Sequence, residues 1–307
     1  MKLSDLLQRD LNADPEITGV TADSRKAGPG FLFAALPGSK VDGREFAAKA
    51  QAQVSAAWLA GRDIEGLHIP LVTANDPRRA YALAAGKFYG EQPATCVAVT
   101  GTNGKTSVAG FCRQIFAHAG FKAASMGTLG VRISAPGKAD EQLTPPGLTT
   151  PDAADVSRLL AELAERPVTY LALEASSHGV DQRRLDGVRL AAAGFLNLTQ
   201  DHLDYHHTME AYRAAKLRLF ETLLARGKTA VLNSDSDAYP VFAGAAVSAG
   251  QTIMSVGETG QGLRLVSRSL LPEGQRLAVL FRGREYDVKL PLAGAFQASN
   301  ALVAAGL

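Results

Sequence analysis

Gly101, Gly104, Lys105 and Thr106 lie in the run Thr95-Cys96-Val97-Ala98-Val99-Thr100-Gly101-Thr102-Asn103-Gly104-Lys105-Thr106-Ser107, and these residue types at this spacing can hold a triphosphate. The glycines let backbone N–H groups close on phosphate oxygens, and a following helix adds positive potential at its N-terminus. Lys105 supplies a point charge and Thr106 a hydroxyl for a magnesium ion. The flanks agree with this reading. A β-branched run precedes the loop; after it Val108, Phe111, Cys112, Ile115, Phe116 and Ala119 recur at helical spacing, and Gly120 stands where a helix C-cap belongs. The usual pattern has glycine where this chain has Val99, so the loop is a variant form.

Three further residues could join that chemistry. Glu174 closes the apolar run Val168-Thr169-Tyr170-Leu171-Ala172-Leu173, and a carboxylate at a strand end beside a triphosphate is placed to ligate magnesium directly or through water. A solvated loop acid is the bland alternative. His202 sits in the polar turn Thr199-Gln200-Asp201-His202-Leu203-Asp204-Tyr205-His206-His207, which lacks cysteines at zinc-ligand spacing. One histidine touching magnesium or substrate, with the others solvated, fits it better than structural zinc. Lys216 falls on the apolar stripe of Tyr212, Leu219, Phe220 and Leu223, in a helix that Thr208 should cap. There it either snorkels to solvent or, with a lowered pKa, reacts with carbon dioxide to give an anionic carbamate able to hold a magnesium ion.

The elements that must position these groups follow from the rest of the chain. At 307 residues with 46% apolar and 20% charged residues, the sequence has room for roughly two globular domains. A formal charge of +2 without a concentrated basic block gives no case for nucleic acid, and no apolar run is long enough for a membrane span or signal sequence, so a cytoplasmic protein is expected. Cys96 and Cys112 read as buried reduced thiols. Residues 1–92 form an expected small α/β unit, with strands at Ile17–Val20 and Phe31–Ala35, a helix from about Glu45, and a second helix opened by Asp76-Pro77 and running through Phe88. Residues 93–307 alternate strands and helices, which predicts a mostly parallel sheet with helices on both faces. Thr150-Pro151-Asp152 reads as N-cap, first residue and acidic first turn of a helix with the stripe Val156, Leu159, Leu160 and Leu163, ended by Pro167. Ala191–Leu198 is a further expected strand. The loops after three strands, carrying Lys105, Glu174 and His202, thus converge on one sheet edge, where open parallel sheets bind ligands.

Taken together, VTGTNGKTS at the loop, LTTPDA around Thr149, LEASSHGVDQRR from Leu173, LNLTQDHLDYH from Leu196 and AAKLRLF around Lys216 resemble the Mur ligases, most closely the MurE type. Thr21-Ala22-Asp23-Ser24-Arg25, Gly30-Phe31-Leu32-Phe33 and Asp42-Gly43-Arg44 look like that type's uridine-nucleotide domain. The resemblance implies an ATP-dependent ligase that adds an amino acid to UDP-N-acetylmuramoyl-L-alanyl-D-glutamate through an acyl phosphate. It implies ATP at Thr100, Gly101, Thr102, Asn103, Gly104, Lys105 and Thr106, with Asn300 near the adenine. One magnesium ion would fall to Thr106 and Glu174, and a second to His202 and carbamylated Lys216. The muramoyl-dipeptide would meet Thr149, Thr150, Ser176, Gln182 and Arg184, and the uridine diphosphate Ser24, Ser39, Lys40 and Val41. A monomer is expected.

Two departures from the family pattern stand out. Gln297 replaces the first asparagine of the family's G-x-F-N-x-x-N, which puts an adenine contact there in question. The resemblance also implies that a third domain, which binds the incoming amino acid and selects diaminopimelate or lysine, lies outside these residues, so ligation by this chain alone is not expected. A non-catalytic nucleotide- and UDP-sugar-binding module is the alternative from another class. A folylpolyglutamate synthase-like ligase, which shares the phosphate loop and the lysine region but lacks the uridine domain, is a third and weaker alternative, and a switch GTPase is weaker still because no Asn-Lys-x-Asp guanine motif follows the loop.

Overall fold

The computed structural model describes residues 1–37, 56–63 and 68–307, which group into two compact units. The first comprises Met1–Gln92, Asp152–Glu162 and Gln182–Val188, and the second comprises Pro93–Pro151, Leu163–Asp181 and Arg189–Leu307. Ser39, Lys40, Val41, Asp42-Gly43-Arg44 and the helix expected from Glu45 lie outside the described residues.

The first unit holds a parallel sheet in the order β1 (Gly19–Thr21), β2 (Phe31–Ala35), β3 (Ala57–Ala60) and β4 (Leu71–Thr73). Side chains alternate across its faces, as the two-residue period of a strand requires. Leu32, Ala34, Leu59 and Val72 pack with Leu3 and Leu6 of α1 (Leu3–Leu7) and with Tyr81, Ala84 and Ala85 of α2 (Pro77–Tyr89), whereas Phe33 and Trp58 meet edge to face at 4.8 Å in a second cluster. Asp76 caps α2 by accepting from Arg79 N at 2.9 Å, with Pro77 at the first helical position. The helix α3 (Lys105–His118) and the helix α4 (Ala153–Glu165) follow later in the chain.

At α4 the structure corrects the expected start. Asp152, not Thr150, is the capping residue: its Oδ1 accepts from Ala154 N at 3.1 Å and from Tyr81 Oη at 2.6 Å. The Thr150 hydroxyl is instead spent within the second unit. The stripe Val156, Leu159, Leu160 and Leu163 is buried throughout, as its spacing predicts.

Among the described residues of the second unit, eleven strands form one sheet in the order β15-β14-β13-β12-β11-β10-β5-β9-β6-β7-β8. Its parallel centre is β5 (Thr95–Thr100) between β9 (Tyr170–Glu174) and β10 (Leu190–Phe195), continued outward by β6 (Ala123–Gly127) on one side and by β11 (Thr229–Asn233) and β12 (Thr252–Gly257) on the other. Both margins turn antiparallel: β7 (Gly130–Ser134) and β8 (Glu141–Gln142) at one, and β13 (Leu263–Leu271), β14 (Gly274–Phe281) and β15 (Arg284–Leu290) at the other. The antiparallel margins were not foreseen, although Arg282-Gly283 between alternating runs is a two-residue hairpin signal, and both residues take positive φ (50° and 77°).

Helix α3 leaves the end of β5 and packs Val108, Ala109 and Cys112 against Ala298, Leu302, Val303 and Ala304 of the helix at Ala295–Gly306. On the alternate side of β10, Phe195 stacks on Phe242 with ring centres 3.7 Å apart, and Phe220 closes edge to face at 5.6 Å. Because β5 sends its crossover to one side and its other neighbour β10 belongs to a later crossover, the strand order reverses at β5. The carboxyl edge beside β5 is thus the switch point at which open parallel sheets bind ligands. No helix among the described residues is long and apolar enough to cross a membrane.

The two thiols sit inside this core. Burial pushes both Cys96 and Cys112 up to about 12, so neither offers a thiolate near neutrality. Native protein treated with iodoacetamide at about pH 8 is therefore expected to stay unmodified by mass spectrometry and to take up two groups only after unfolding. Rapid native alkylation would contradict the packing described for β5 and α3.

Candidate functional site

The ladder between β5 and β10 does not stop where the strands end. Leu196 N donates to Thr100 O and Thr102 N to Asn197 O, each at 3.0 Å, so residues 196–199 run alongside the phosphate loop. Gly104 is required by both conformation and space. Its φ is +92°, and a Cβ there would strike Asn300 Oδ1. Asn300 is buried and donates from Nδ2 to Gln297 Oε1 at 3.1 Å, so Gln297 serves here as its partner. Lys105 opens α3 but folds back over the loop, donating to Gly101 O and Thr102 O at 2.9 Å each. Burial lowers its pKa, while Glu174 and Asp201 act the other way.

Glu174, the last residue of β9, is only 3% exposed, which rules out the solvated loop acid. Its carboxylate accepts from Thr106 Oγ1 at 2.9 Å, from Thr128 N at 3.0 Å and from Thr128 Oγ1 at 3.3 Å. Burial raises its pKa, opposed by those hydrogen bonds and by the charge of Lys105. Gly127 keeps the space open, since a Cβ at that position would overlap the carboxylate. The backbone of the same residue is also used: Thr150 Oγ1 donates to Glu174 O at 2.9 Å and lies 3.0 Å from Ser176 Oγ, and Thr149 Oγ1 lies 3.0 Å from Thr128 Oγ1. Thr106, Thr149, Thr150, Glu174 and Ser176 are thus one hydroxyl-rich group. Thr128, which sequence reasoning missed, links its members. Its signal was its place directly after a strand that ends in glycine.

Lys216 does not snorkel. It is 1% exposed, its Nζ donates to Gly101 O at 2.8 Å, and the same nitrogen lies 4.5 Å from the centre of the Tyr212 ring. Burial first, then the nearby charge of Lys105, holds its pKa well below the ordinary lysine value, with Asp201 opposing. Its helix, Met209–Arg218, is capped by Thr208, which accepts from Ala211 N at 3.1 Å, and continues into a π-turn at Leu219–Leu223 of the kind frequent at functional sites.

His202 is exposed and has a left-handed backbone (φ 51°, ψ 30°). Its Nε2 lies 3.5 Å from Asp201 Oδ2, and its ring meets His178 edge to face at 4.9 Å. The expectation that the other histidines of this turn are solvated fails at His206. That residue is buried between His178 and Tyr212, with ring centres at 5.5 and 5.3 Å, and burial lowers its pKa.

The remaining site candidates lie in the first unit. Ser24 is partly buried in the turn after β1, where Asp23 is held at about 2 by its hydrogen bonds and charge pairing with Arg25. Gln182 Oε1 accepts from Arg184 Nη2 at 2.7 Å.

Comparison with known proteins is consistent across sequence and fold. Residues 99–307 match the Mur ligase middle domain, and residues 16–85 match the Mur ligase family catalytic domain. The UDP-N-acetylmuramoyl-L-alanyl-D-glutamate–2,6-diaminopimelate ligase of Caulobacter vibrioides is 68% identical over 307 residues, covering 100% of this chain and 63% of that protein. Its namesake in Mesorhizobium japonicum is 49% identical over 314 residues, covering 100% of this chain and 64% of its own length. A solved structure of a ligase with the same title superposes with a TM-score of 0.88 at 27% identity, over 100% of this chain and 64% of that one. MurF from Thermotoga maritima, solved in complex with ADP, shares the fold with a TM-score of 0.60 at 17% identity, over 98% of this chain and 62% of that one. The chain spans less than two thirds of the length of these relatives.

The steric fit of Gly127 against Glu174 can be tested by a double-mutant cycle. Gly127→Ala is expected to destabilise the chain by about 1–3 kcal/mol through overpacking. With Glu174→Ala also present, the combined loss should fall short of the sum by about 1 kcal/mol, because the clash is gone. Urea denaturation measures all three variants, and strictly additive losses would contradict the contact.

Proposed function

The chain belongs to the Mur ligase family, and on that premise we propose that it carries the ATP-binding and muramoyl-dipeptide-binding parts of a ligase that extends UDP-N-acetylmuramoyl-L-alanyl-D-glutamate by one amino acid. The names of the relatives make 2,6-diaminopimelate the proposed amine substrate of the whole protein. One observation carries this reading most: at the carboxyl edge of the sheet Thr106 of the phosphate loop donates to the buried carboxylate of Glu174, while the adjacent Lys105 lies over the loop on Gly101 O.

In this proposal, Thr100 to Thr106 hold the triphosphate. The N–H groups of the first turn of α3 face its oxygens, and Lys105 leaves the loop carbonyls to neutralise charge on the transferred group. Thr106 Oγ1 and Glu174 Oε2, 2.9 Å apart, are hard oxygen donors of the kind a magnesium ion takes, so the pair fits that ion. The ion would shield the phosphate oxygens during transfer. A carboxylate oxygen of the D-glutamate attacks the γ-phosphorus, ADP leaves, and the amine displaces phosphate from the acyl carbon. Ser24, Thr149, Thr150, Ser176, Gln182 and Arg184 are the proposed substrate contacts, and Asn300 an adenine contact.

For Lys216 we propose the carbamate. A buried amine held below its ordinary pKa is the reactive form: its nitrogen attacks the carbon of carbon dioxide and loses one proton, leaving an anionic oxygen pair that with His202 would suit a second magnesium ion. Carbon-13 bicarbonate should give one new carbamate resonance in the wild type and none in Lys216→Ala. Identical spectra would leave an unmodified amine.

Ligand-induced stabilisation tests the main proposal. A ligand at 100 times its Kd should add about 2.7 kcal/mol to the folded state. Magnesium-ATP and UDP-muramoyl-dipeptide should each raise the melting temperature, whereas GTP and folate should not. Lys105→Ala should lose the ATP response and keep the response to the UDP-muramoyl ligand. Stabilisation by folate alone would overturn the assignment.

A further inference from the structure

The phosphate loop holds its shape through a side chain that lies outside it. Asn197 Oδ1 accepts from Asn103 N at 3.0 Å while its Nδ2 donates to Asn103 O at 3.2 Å, so one amide pairs reciprocally with the backbone of one loop residue. The main chain of Asn197 is engaged too, since its carbonyl accepts from Thr102 N at 3.0 Å. Two residues on, Thr199 repeats the pattern with the roles exchanged. Its N–H donates to Thr102 Oγ1 at 2.9 Å, its carbonyl lies 3.1 Å from the same hydroxyl, and Tyr212 Oη lies 3.1 Å from it as well. The inter-strand ladder therefore continues past the ends of β5 and β10, with side chains standing in for backbone at two rungs.

We infer that Asn197 is a positioning residue that sets the shape of the phosphate loop, an inference that rests on the nucleotide reading above. A loop with glycines at 101 and 104 has unusual conformational freedom, and a ligand that must order it gives up affinity in doing so. The amide of Asn197 removes that freedom before the ligand arrives. It also engages Asn103 N–H, so the N–H groups of the first turn of α3, beginning at Lys105, are the ones left to meet an anion.

The test uses the 307-residue chain and magnesium with a non-hydrolysable ATP analogue. Asn197→Ala should bind the analogue about tenfold more weakly by calorimetry, the loss appearing chiefly as a less favourable entropy, with the ligand-free melting temperature little changed. The amide of Asn103 should exchange faster in that variant by NMR, while amides in β5 and β9 keep wild-type protection. Asn197→Asp retains an acceptor for Asn103 N–H and should restore its protection. Unchanged affinity in Asn197→Ala would overturn the inference. So would a loss of affinity matched by faster exchange throughout β5 and β9, because that is merely structural. A wild type that does not bind the analogue would overturn the nucleotide reading itself, and the clamp's purpose with it.

Discussion

Two lysine side chains from different helices end on one carbonyl oxygen. Lys105 and Lys216 both donate to Gly101 O, at 2.9 and 2.8 Å, with Lys216 buried and Lys105 half-buried. Two ammonium groups that close repel, and the Gly101 and Thr102 carbonyls with the carboxylates of Glu174 and Asp201 offset part of that. The arrangement favours one neutral amine or an added anion, and both features proposed for the site act in that direction. A triphosphate draws Lys105 outward, and a carbamate turns Lys216 from cation to anion. Glu174, with its pKa raised by burial, is the nearby carboxylate that already faces Lys105.

The fold makes this crowding possible by sending three loops to one edge. β5 supplies the loop with Lys105, β9 ends in Glu174, and β10 runs into the segment that lies along the loop and continues to His202. Parallel strands have their carboxyl ends together, so groups far apart in sequence arrive within hydrogen-bonding range without any long excursion of chain. The packing of Val108, Ala109 and Cys112 against the helix carrying Asn300 then fixes how near that asparagine comes to Gly104.

Much of this was legible in the sequence where local chemistry dictates local structure. The strand-glycine-lysine-helix pattern located the loop, Thr208 was recognisable as a cap, and the stripe of Val156, Leu159, Leu160 and Leu163 announced a buried face. What was not legible depends on partners distant in sequence. Thr150 resembles a helix cap in isolation, but its hydroxyl goes to Glu174 O, and Asp152 takes the capping role because Tyr81 anchors it. Lys216 on an apolar stripe is compatible with snorkelling until the depth of its surroundings is known. His206, in a run of polar residues, looks solvated until His178 and Tyr212 close over it. The family resemblance supplied roles for residues whose geometry no spacing rule could give, and Thr128 and Asn197 needed the structure itself.

A crystal structure of the chain with magnesium and a non-hydrolysable ATP analogue decides which hydrogen bonds of the phosphate loop give way to ligand. Lys105 Nζ is expected to leave Gly101 O and Thr102 O for the phosphate oxygens, with a metal ion between Thr106 Oγ1 and Glu174 Oε2 in place of their direct hydrogen bond. A complex in which Lys105 still rests on both carbonyls and Thr106 still donates to Glu174, with the nucleotide bound elsewhere, would contradict that expectation.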